Sequence, residues 1–413
     1  MRKKHLFTFA MFLVMISCEK NGVTQDVYQD ELSIDNVNST VLSSGWINGS
    51  LPQSGAPSQL IVPDAQLNDL NVVRSGPAVY KSNNPEIFQG NGWLMQSART
   101  DASRGGQRYL LNGSNVIYLF HINRSGRNRY LHVLASNPNS SNISVSYRGS
   151  GYTNSLSERP LFGKGTGPSY GVAEDWLNNN LPVSGTTGSF GTGNIRQIYR
   201  KLMGNTNMLD ARFEVTSTGP CIYYVVVTSS GSLTDAINAS QGSFAAGDYR
   251  IESASTFARE AGIYETGTVT ADNTITLPSG PAHIGFSLNT SNKFAQVEDQ
   301  TSPSLMTLAG SSSRTYGNYG HYYKVTTRIR NTGSTTRNVK FYFASNATGS
   351  QSNATYNGPV RSNGVVFDVY TQFNNPRQQI ASWNISPGSF TNTIEFYVPG
   401  LITTNQQIIY EVN

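Results

Sequence analysis

The chain is predicted to be all-β: two β-sandwich-like domains, Ig-like or jelly-roll-like, with a few short helices between strands. Three observations carry that prediction. Only 13% of the 413 residues are charged, yet mean hydropathy is still −0.35, so neutral polar residues fill the gap. Asn, Ser, Thr and Gly favour turns and solvated strand faces over long helices. Short apolar stretches alternate with turn clusters such as Asn83-Asn84-Pro85, Asn112-Gly113-Ser114 and Ser125-Gly126, as in a sandwich or barrel. Finally, two segments share one design. Arg129 to Asn137 alternates into a polar turn at 138–141 and resumes at Ile143 to Tyr147. Tyr322 to Asn331 does the same through 332–336 and resumes at Val339 to Phe343. Each is a strand, an Asn-led loop and a second strand, expected to form the central hairpin of its own domain.

In chain order, Arg2, Lys3 and Lys4 precede an apolar run from Leu6 to Ile16, with Ser17 before Cys18. This is the pattern of a secretory signal peptide, too short to span a bilayer. Met15-Ile16-Ser17-Cys18 resembles a bacterial lipobox, which implies removal of residues 1–17 and a lipid on Cys18. Residues 18–44 read as a flexible tether. The first domain is expected over 45–262 and the second over 263–413. Helical signals are few: Val172 to Leu177 stopping at Asn178, Ile195 to Met203 stopping at Gly204, and a turn or two over Ser255 to Ala261.

Charge and cysteines narrow the partners. The net charge of +5 falls to +2 once Arg2, Lys3 and Lys4 leave with the leader, which argues against a nucleic-acid binder. Arg99, Arg104, Arg108, Arg124, Arg127 and Arg129 nevertheless cluster. They are either solvated loop residues or contacts for an acidic polymer. With Cys18 lipidated, Cys221 has no disulfide partner, and the apolar run Ile222 to Val227 marks it as a buried strand residue.

Gly76-Pro77-Ala78-Val79-Tyr80-Lys81-Ser82-Asn83-Asn84-Pro85-Glu86, the following Gly92-Trp93-Leu94, Tyr316-Gly317-Asn318-Tyr319-Gly320-His321-Tyr322-Tyr323 and Ser386-Pro387-Gly388 occur in an informative order. Over roughly residues 70–412 they resemble an exported bacterial family, largely cyanobacterial, known only as a domain of unknown function. The resemblance implies an exported β-rich body and carries no catalytic residues.

Motifs for chemistry are sparse. His121, His132, His283 and His321 lack zinc-site spacing, although His121 and His132 could meet across adjacent strands. There is no Gly-x-Ser-x-Gly elbow and no phosphate-binding loop; Gly163 to Gly167 reads as a flexible loop. Glu174-Asp175, Glu298-Asp299 and Asp248 with Glu252 do not form an evident glycosidase pair. No cofactor, metal or catalytic residue is assigned. The binding candidates are Tyr316, Tyr319, Tyr322 and Tyr323, with Arg124, Arg127 and Arg129. The tyrosines either present rings to a ligand, or pack Tyr319 and Tyr323 inward while the others flank a turn.

The expectation is therefore a non-catalytic lipoprotein of the cell envelope, in the outer membrane, held to the membrane by lipid on Cys18. Its expected ligand is a surface or extracellular glycan. A structural or adhesive component contacting an envelope protein is the alternative, and a polymer-acting hydrolase the third.

Overall fold

The computed structural model describes residues 45–98, 108–160, 163–293, 296–345, 354–402 and 405–413. The expected leader, the tether, Cys18, Arg99 and Arg104 lie outside them. Strands β1 (Ile47–Asn48) and β2 (Val73–Ser75) come first, then β3 (Val79–Ser82), β4 (Ile87–Phe88) and β5 (Gly92–Gln96). Next are β6 (Leu111–Asn123), β7 (Arg129–Ser136), β8 (Val145–Thr153) and helix α1 (Pro168–Asn178). After β9 (Val183–Thr186), β10 (Ile195–Met203) and β11 (Met208–Thr228) comes helix α2 (Leu233–Gln241). The middle of the chain holds β12 (Gly247–Asp248), β13 (Ala261–Tyr264), β14 (Thr268–Thr276), β15 (Ala282–Leu288) and β16 (Ser304–Thr307). The last strands are β17 (Tyr322–Asn331), β18 (Arg337–Ser345), β19 (Ala354–Ser362), β20 (Val365–Gln372), β21 (Arg377–Ile385), β22 (Gly388–Tyr397) and β23 (Gln406–Val412). The fold is all-β with few short helices, as its composition predicts.

Strand β11 organises the first body. Its leading half pairs with β6 and β8, and its trailing half with β7 and β5. The register breaks between Ser217 and Cys221, across Thr218-Gly219-Pro220, where proline supplies no N–H and the strand changes sheets. One layer is β10-β7-β11-β5; the other carries β9-β8-β11-β6-β3-β13-β16. Leu131, Val133, Val225 and Tyr199 from the first meet Ile117, Leu119 and Phe213 from the second in one core. Strand β6 reads Val116-Ile117-Tyr118-Leu119-Phe120 because both of its faces are covered. Its second face turns Val116, Tyr118 and Phe120 toward the other body.

The second body stacks the sheet β1-β15-β23-β18-β21 on β2-β14-β17-β22-β19-β20. Phe341, Tyr410, Phe396, Tyr323 and Ile329 fill the space between them. The sheets do not divide at 262/263. Strands β1 and β2 pair with β15 and β14 of the second body, while β13 and β16 complete the first. Leu51, Ile61, Val62 and Leu67 pack on Tyr342 and Ile409, and the Gln407 amide bonds both the N–H and the carbonyl of Val62.

The two expected hairpins are arches instead. Strands β7 and β8 do not pair: β7 joins β10 and β11, and β8 joins β9 and β11. Likewise β17 lies in the six-stranded sheet and β18 in the five-stranded one. The leading Asn explains both arches. Asn137 Nδ2 donates to Ser141 O (2.8 Å) and Phe190 O (2.9 Å), and its Oδ1 accepts from Asn139 N (2.8 Å). Asn331 repeats this with Thr335 O (2.8 Å), Ile385 O (2.8 Å) and Gly333 N (3.1 Å). A third copy, Asn123, sits where β6 crosses to β7, bonding Arg127 O (2.8 Å), Met203 O (3.0 Å) and Ser125 N (3.0 Å). Each buried amide closes its own loop and ties it to another strand end or loop, which a two-residue hairpin turn would not require.

Two helix expectations change. Ile195 to Met203 is strand β10, paired antiparallel with β7, with an extra residue between Gln197 and Tyr199 that shifts the register. That bulge spaces Ile195, Ile198, Tyr199 and Leu202 at helical intervals on an extended chain. Ser255 lies in a turn closed by a bridge between Ser253 and Thr256, residues 257–260 run without regular structure, and Ala261 begins β13. Helix α1 matches its expected stop: Asn179 takes the left-handed conformation at φ 53°, with Pro168 in the first turn.

Candidate functional site

The tyrosine segment does not offer an open face. Thr315 donates to Asn318 Oδ1 (2.6 Å), and Asn318 Nδ2 donates to the Tyr323 hydroxyl (2.8 Å). Gly320, at φ 76°, lies so close to Tyr118 that an added Cβ would come within 2.4 Å of its ring. Tyr323 is fully buried and stacks on Phe396 at 5.1 Å. Tyr319 donates to Ile402 O (3.2 Å), and Tyr322 donates to Glu395 while its ring meets Tyr397 at 5.0 Å. Tyr316 donates to Glu252 Oε1 (2.6 Å), with the Lys293 ammonium 4.7 Å from its ring centre. All four make internal contacts: Tyr323 is buried in the core, and Tyr319, partly buried, packs against the cores on both sides.

What this segment does is close a buried polar junction between the bodies. Lys81, in a wholly buried strand, pairs with Glu260 (2.8 Å) between the rings of Tyr118 and Tyr264, each 5.8 Å from its nitrogen. Burial lowers the Lys81 pKa, and Glu260 opposes that shift. Tyr118 donates to Asp210 Oδ2 (3.0 Å), whose carboxyl is pushed up to about 6 by burial. Two residues on, the Arg212 guanidinium sits 3.9 Å from the Trp176 ring of α1 and 4.8 Å from Tyr397 of β22, while its Nε donates to Gly320 O (2.9 Å). His321 completes the group: it is 1% exposed, and neither ring nitrogen has a partner. Burial, then Lys81 and Arg212, hold it neutral. These side chains are sealed from solvent, so the junction joins the bodies rather than receiving a ligand. Sequence reasoning missed it; the available signal was a charge at alternate positions of apolar strands, as in Leu209-Asp210-Ala211-Arg212-Phe213.

Helix α1 fills the rest of the junction. Arg361 donates to Leu177 O at its C-terminal end, where a cation is favoured. The Gly163 to Gly167 loop is clamped to β19: Gly165 N donates to Asn357 Oδ1 (3.1 Å), and Asn357 Nδ2 donates to Thr166 O (3.0 Å).

The arginines occupy a different place. Arg124 and Arg127 are exposed on the β6–β7 loop that Asn123 holds. Arg129 begins β7, and its Nη1 donates to Ser229 Oγ (3.0 Å), while its Nε is buried without a partner. The structure adds Arg200 of β10, whose Nη1 donates to Gly231 O (2.8 Å), so two arginines pin the same 229–231 loop. Among the described residues, no carboxylate lies within ion-pair distance of these four, whereas Arg148, Arg159, Arg259, Arg314, Arg328 and Arg361 all have acidic partners.

The remaining chemical candidates have internal duties. His121 sits between Ser82 (2.9 Å) and Pro85 O (2.8 Å), its pKa lowered to about 3 by burial. His132 bonds Gln197 and Thr228 in the facing layer, so the two histidines do not meet. Glu174 pairs with Arg159, Asp175 accepts from Tyr152, and Glu298 accepts from Leu70 N and Val72 N. Asp299 pairs with Arg314, and Glu252 with Lys293. Cys221 is free and buried, its thiol pushed up to about 12 by desolvation. Among the described residues, no group of three His, Cys, Asp or Glu could hold a metal, and no helix is long and apolar enough to cross a membrane.

No protein-family model and no curated protein matches the chain. Among solved structures, an anti-sigma factor domain-containing protein from Clostridium clariflavum aligns at 8% identity over 80% of this chain and 87% of its own, with a TM-score of 0.17. The secreted serine protease VesC from Vibrio cholerae aligns at 10% identity over 71% and 50%, TM-score 0.15. The CUB1-EGF-CUB2 domain of human MASP-1/3 aligns at 7% over 72% and 99%, TM-score 0.18. Likenesses this faint carry no argument about fold or function.

Proposed function

We propose that this is an exported envelope lipoprotein, anchored through Cys18, that acts as a non-catalytic binding module for a surface or extracellular glycan. The supporting observation is the arginine-bearing end of the first body: exposed Arg124 and Arg127 on a braced loop, beside Arg129 and Arg200, without acidic partners. An unneutralised set of planar donors on a rigid frame suits hydroxyl and anionic oxygens. The test is retention of the purified protein on isolated envelope and extracellular glycans, with Arg124→Gln/Arg127→Gln beside the wild type. Saturable retention that the double variant loses supports the reading; absence of retention on every glycan removes it. Anchoring is tested separately by mass spectrometry of the N-terminal peptide from membrane fractions, where acyl chains on Cys18 are expected, with Cys18→Ser as control.

One feature favours the adhesive reading. Strand β20 ends the six-stranded sheet; Gln378 caps its outer edge at Asp368 O and Tyr370 N, while its first residues, Val365 (57%) and Val366 (37%), stay exposed. Crosslinking in intact cells should then recover one dominant protein neighbour through this strand, and recovery of none counts against it.

A further inference from the structure

The pairing of β7 with β10 sets Leu202 opposite Tyr130 and Arg200 opposite His132. Residues directly opposite in an antiparallel pair, and those two apart along a strand, share a face. Tyr130, Leu202 and Arg200 therefore stand together on the outer face of that layer. Leu202 is 47% exposed, Arg200 is exposed and Tyr130 is half-buried. The Arg200 guanidinium lies 5.9 Å from the Tyr130 ring centre. Its bond to Gly231 O uses one of its five N–H donors. Strand β10 is the edge of its layer, so a long ligand can run past this strip without meeting another strand. Arg124 and Arg127 lie beyond it on the β6–β7 loop, which is tied to the β10–β11 turn by Gly126 N donating to Asn205 Oδ1 (3.0 Å). The acid facing His132 from α2, Asp235, is engaged by the Ser230 hydroxyl.

We infer that the Tyr130–Leu202–Arg200 strip is a subsite for one acidic sugar residue of a polyanionic glycan, whose neighbouring anionic groups reach Arg124 and Arg127. A sugar ring presents a C–H face and an equatorial edge. The C–H face suits the Tyr130 ring and the Leu202 side chain, and a carboxylate at the edge accepts paired N–H bonds from Arg200. This rests on the glycan reading above and specifies the ligand class and the residues that read it.

The experiment is affinity electrophoresis of the mature chain in gels containing polygalacturonate, its methyl ester or neutral pullulan. Wild type is compared with Tyr130→Ala, Tyr130→Phe, Arg200→Gln and Arg124→Gln/Arg127→Gln, with unchanged melting temperatures confirming folding. Polygalacturonate should retard the wild type, less so as salt rises, and the methyl ester should bind roughly tenfold more weakly. Tyr130→Ala and Arg200→Gln should each weaken binding about fivefold, while Tyr130→Phe keeps it. If those two variants bind like wild type while the double arginine variant does not, the subsite is overturned and the glycan reading stands. Equal binding of all three polymers overturns the acidic specificity alone. No retardation in any gel removes the glycan reading and the subsite with it.

Discussion

Asn331→Asp is the sharpest test of why the chain crosses between sheets where it does. The substitution keeps size and shape and replaces the amide donors with an ionisable carboxyl. In the wild type those donors hold Thr335 O and Ile385 O, both at 2.8 Å, on a side chain that is 4% exposed. A buried carbonyl left without a donor costs about 1–3 kcal/mol; Ile385 O is buried whereas Thr335 is exposed and can turn to water, so Asn331→Ala should lose roughly 1–3 kcal/mol. The aspartate should lose more at neutral pH, because its carboxylate would face two carbonyl oxygens in a desolvated place. Those surroundings raise its folded-state pKa above the unfolded ~3.9. A raised carboxyl pKa means the folded state holds the proton more tightly, so stability is greatest below the unfolded value and falls as pH rises through the folded one. Urea melts of both variants from pH 4 to pH 8 read this directly. The aspartate deficit should shrink toward pH 4 while the alanine deficit stays level. An aspartate variant within ~0.5 kcal/mol of wild type at pH 7, or a deficit without pH dependence, would refute the role given to this amide.

Three further outcomes are expected. Lys81→Met should cost about 3–5 kcal/mol by leaving Glu260 buried without its cation, and Lys81→Met/Glu260→Leu should recover most of it in chemical melts. Asp210→Asn should flatten stability between pH 4 and pH 6: the wild-type carboxyl, pushed up to about 6, is favoured when protonated and loses stability as pH rises through that value, which a pH series of melting temperatures would record. Arg212→Lys should lower the melting temperature although it keeps the charge, because an ammonium cannot lie flat between Trp176 and Tyr397; a variant melting with wild type counts against the stacked contact.

The β class, the α1 stop and the loop-forming role of Asn137 and Asn331 were legible in sequence, since composition, alternation and a helix stop are local signals. What lay between strands was not. A strand, an Asn-led loop and another strand read the same whether the second strand pairs with the first or crosses to a facing sheet; the difference lies in Phe190 O and Ile385 O, each more than fifty positions away. The β10 bulge turned a period of two into apparent helical spacing. Helix α2 left a short trace, Ser232 accepting from Asp235 N, within a polar stretch. At the candidate sites, Arg124 and Arg127 were recognisable as exposed loop cations. Tyr130, Leu202 and Arg200 come together only through the β7–β10 register, and the tyrosine cluster misled because crowding in sequence says nothing of which partners each ring finds.

The clasp between residues 47–75 and the second body sets an order of assembly. Val62 meets Gln407 across 345 positions, whereas the first body is closed by strands lying between residues 79 and 307. In a chain emerging from its amino terminus, the first body is complete at residue 307, while β14 still waits for β17, β15 for β23, and the 51–67 segment for β18 and β23. Such long-range closure is slow, because loop entropy must be lost before the contacts form. Until then the apolar Leu51, Ile61 and Val62 lack the Tyr342 and Ile409 side chains that cover them, which makes this interval the chain's most exposed moment for misassembly.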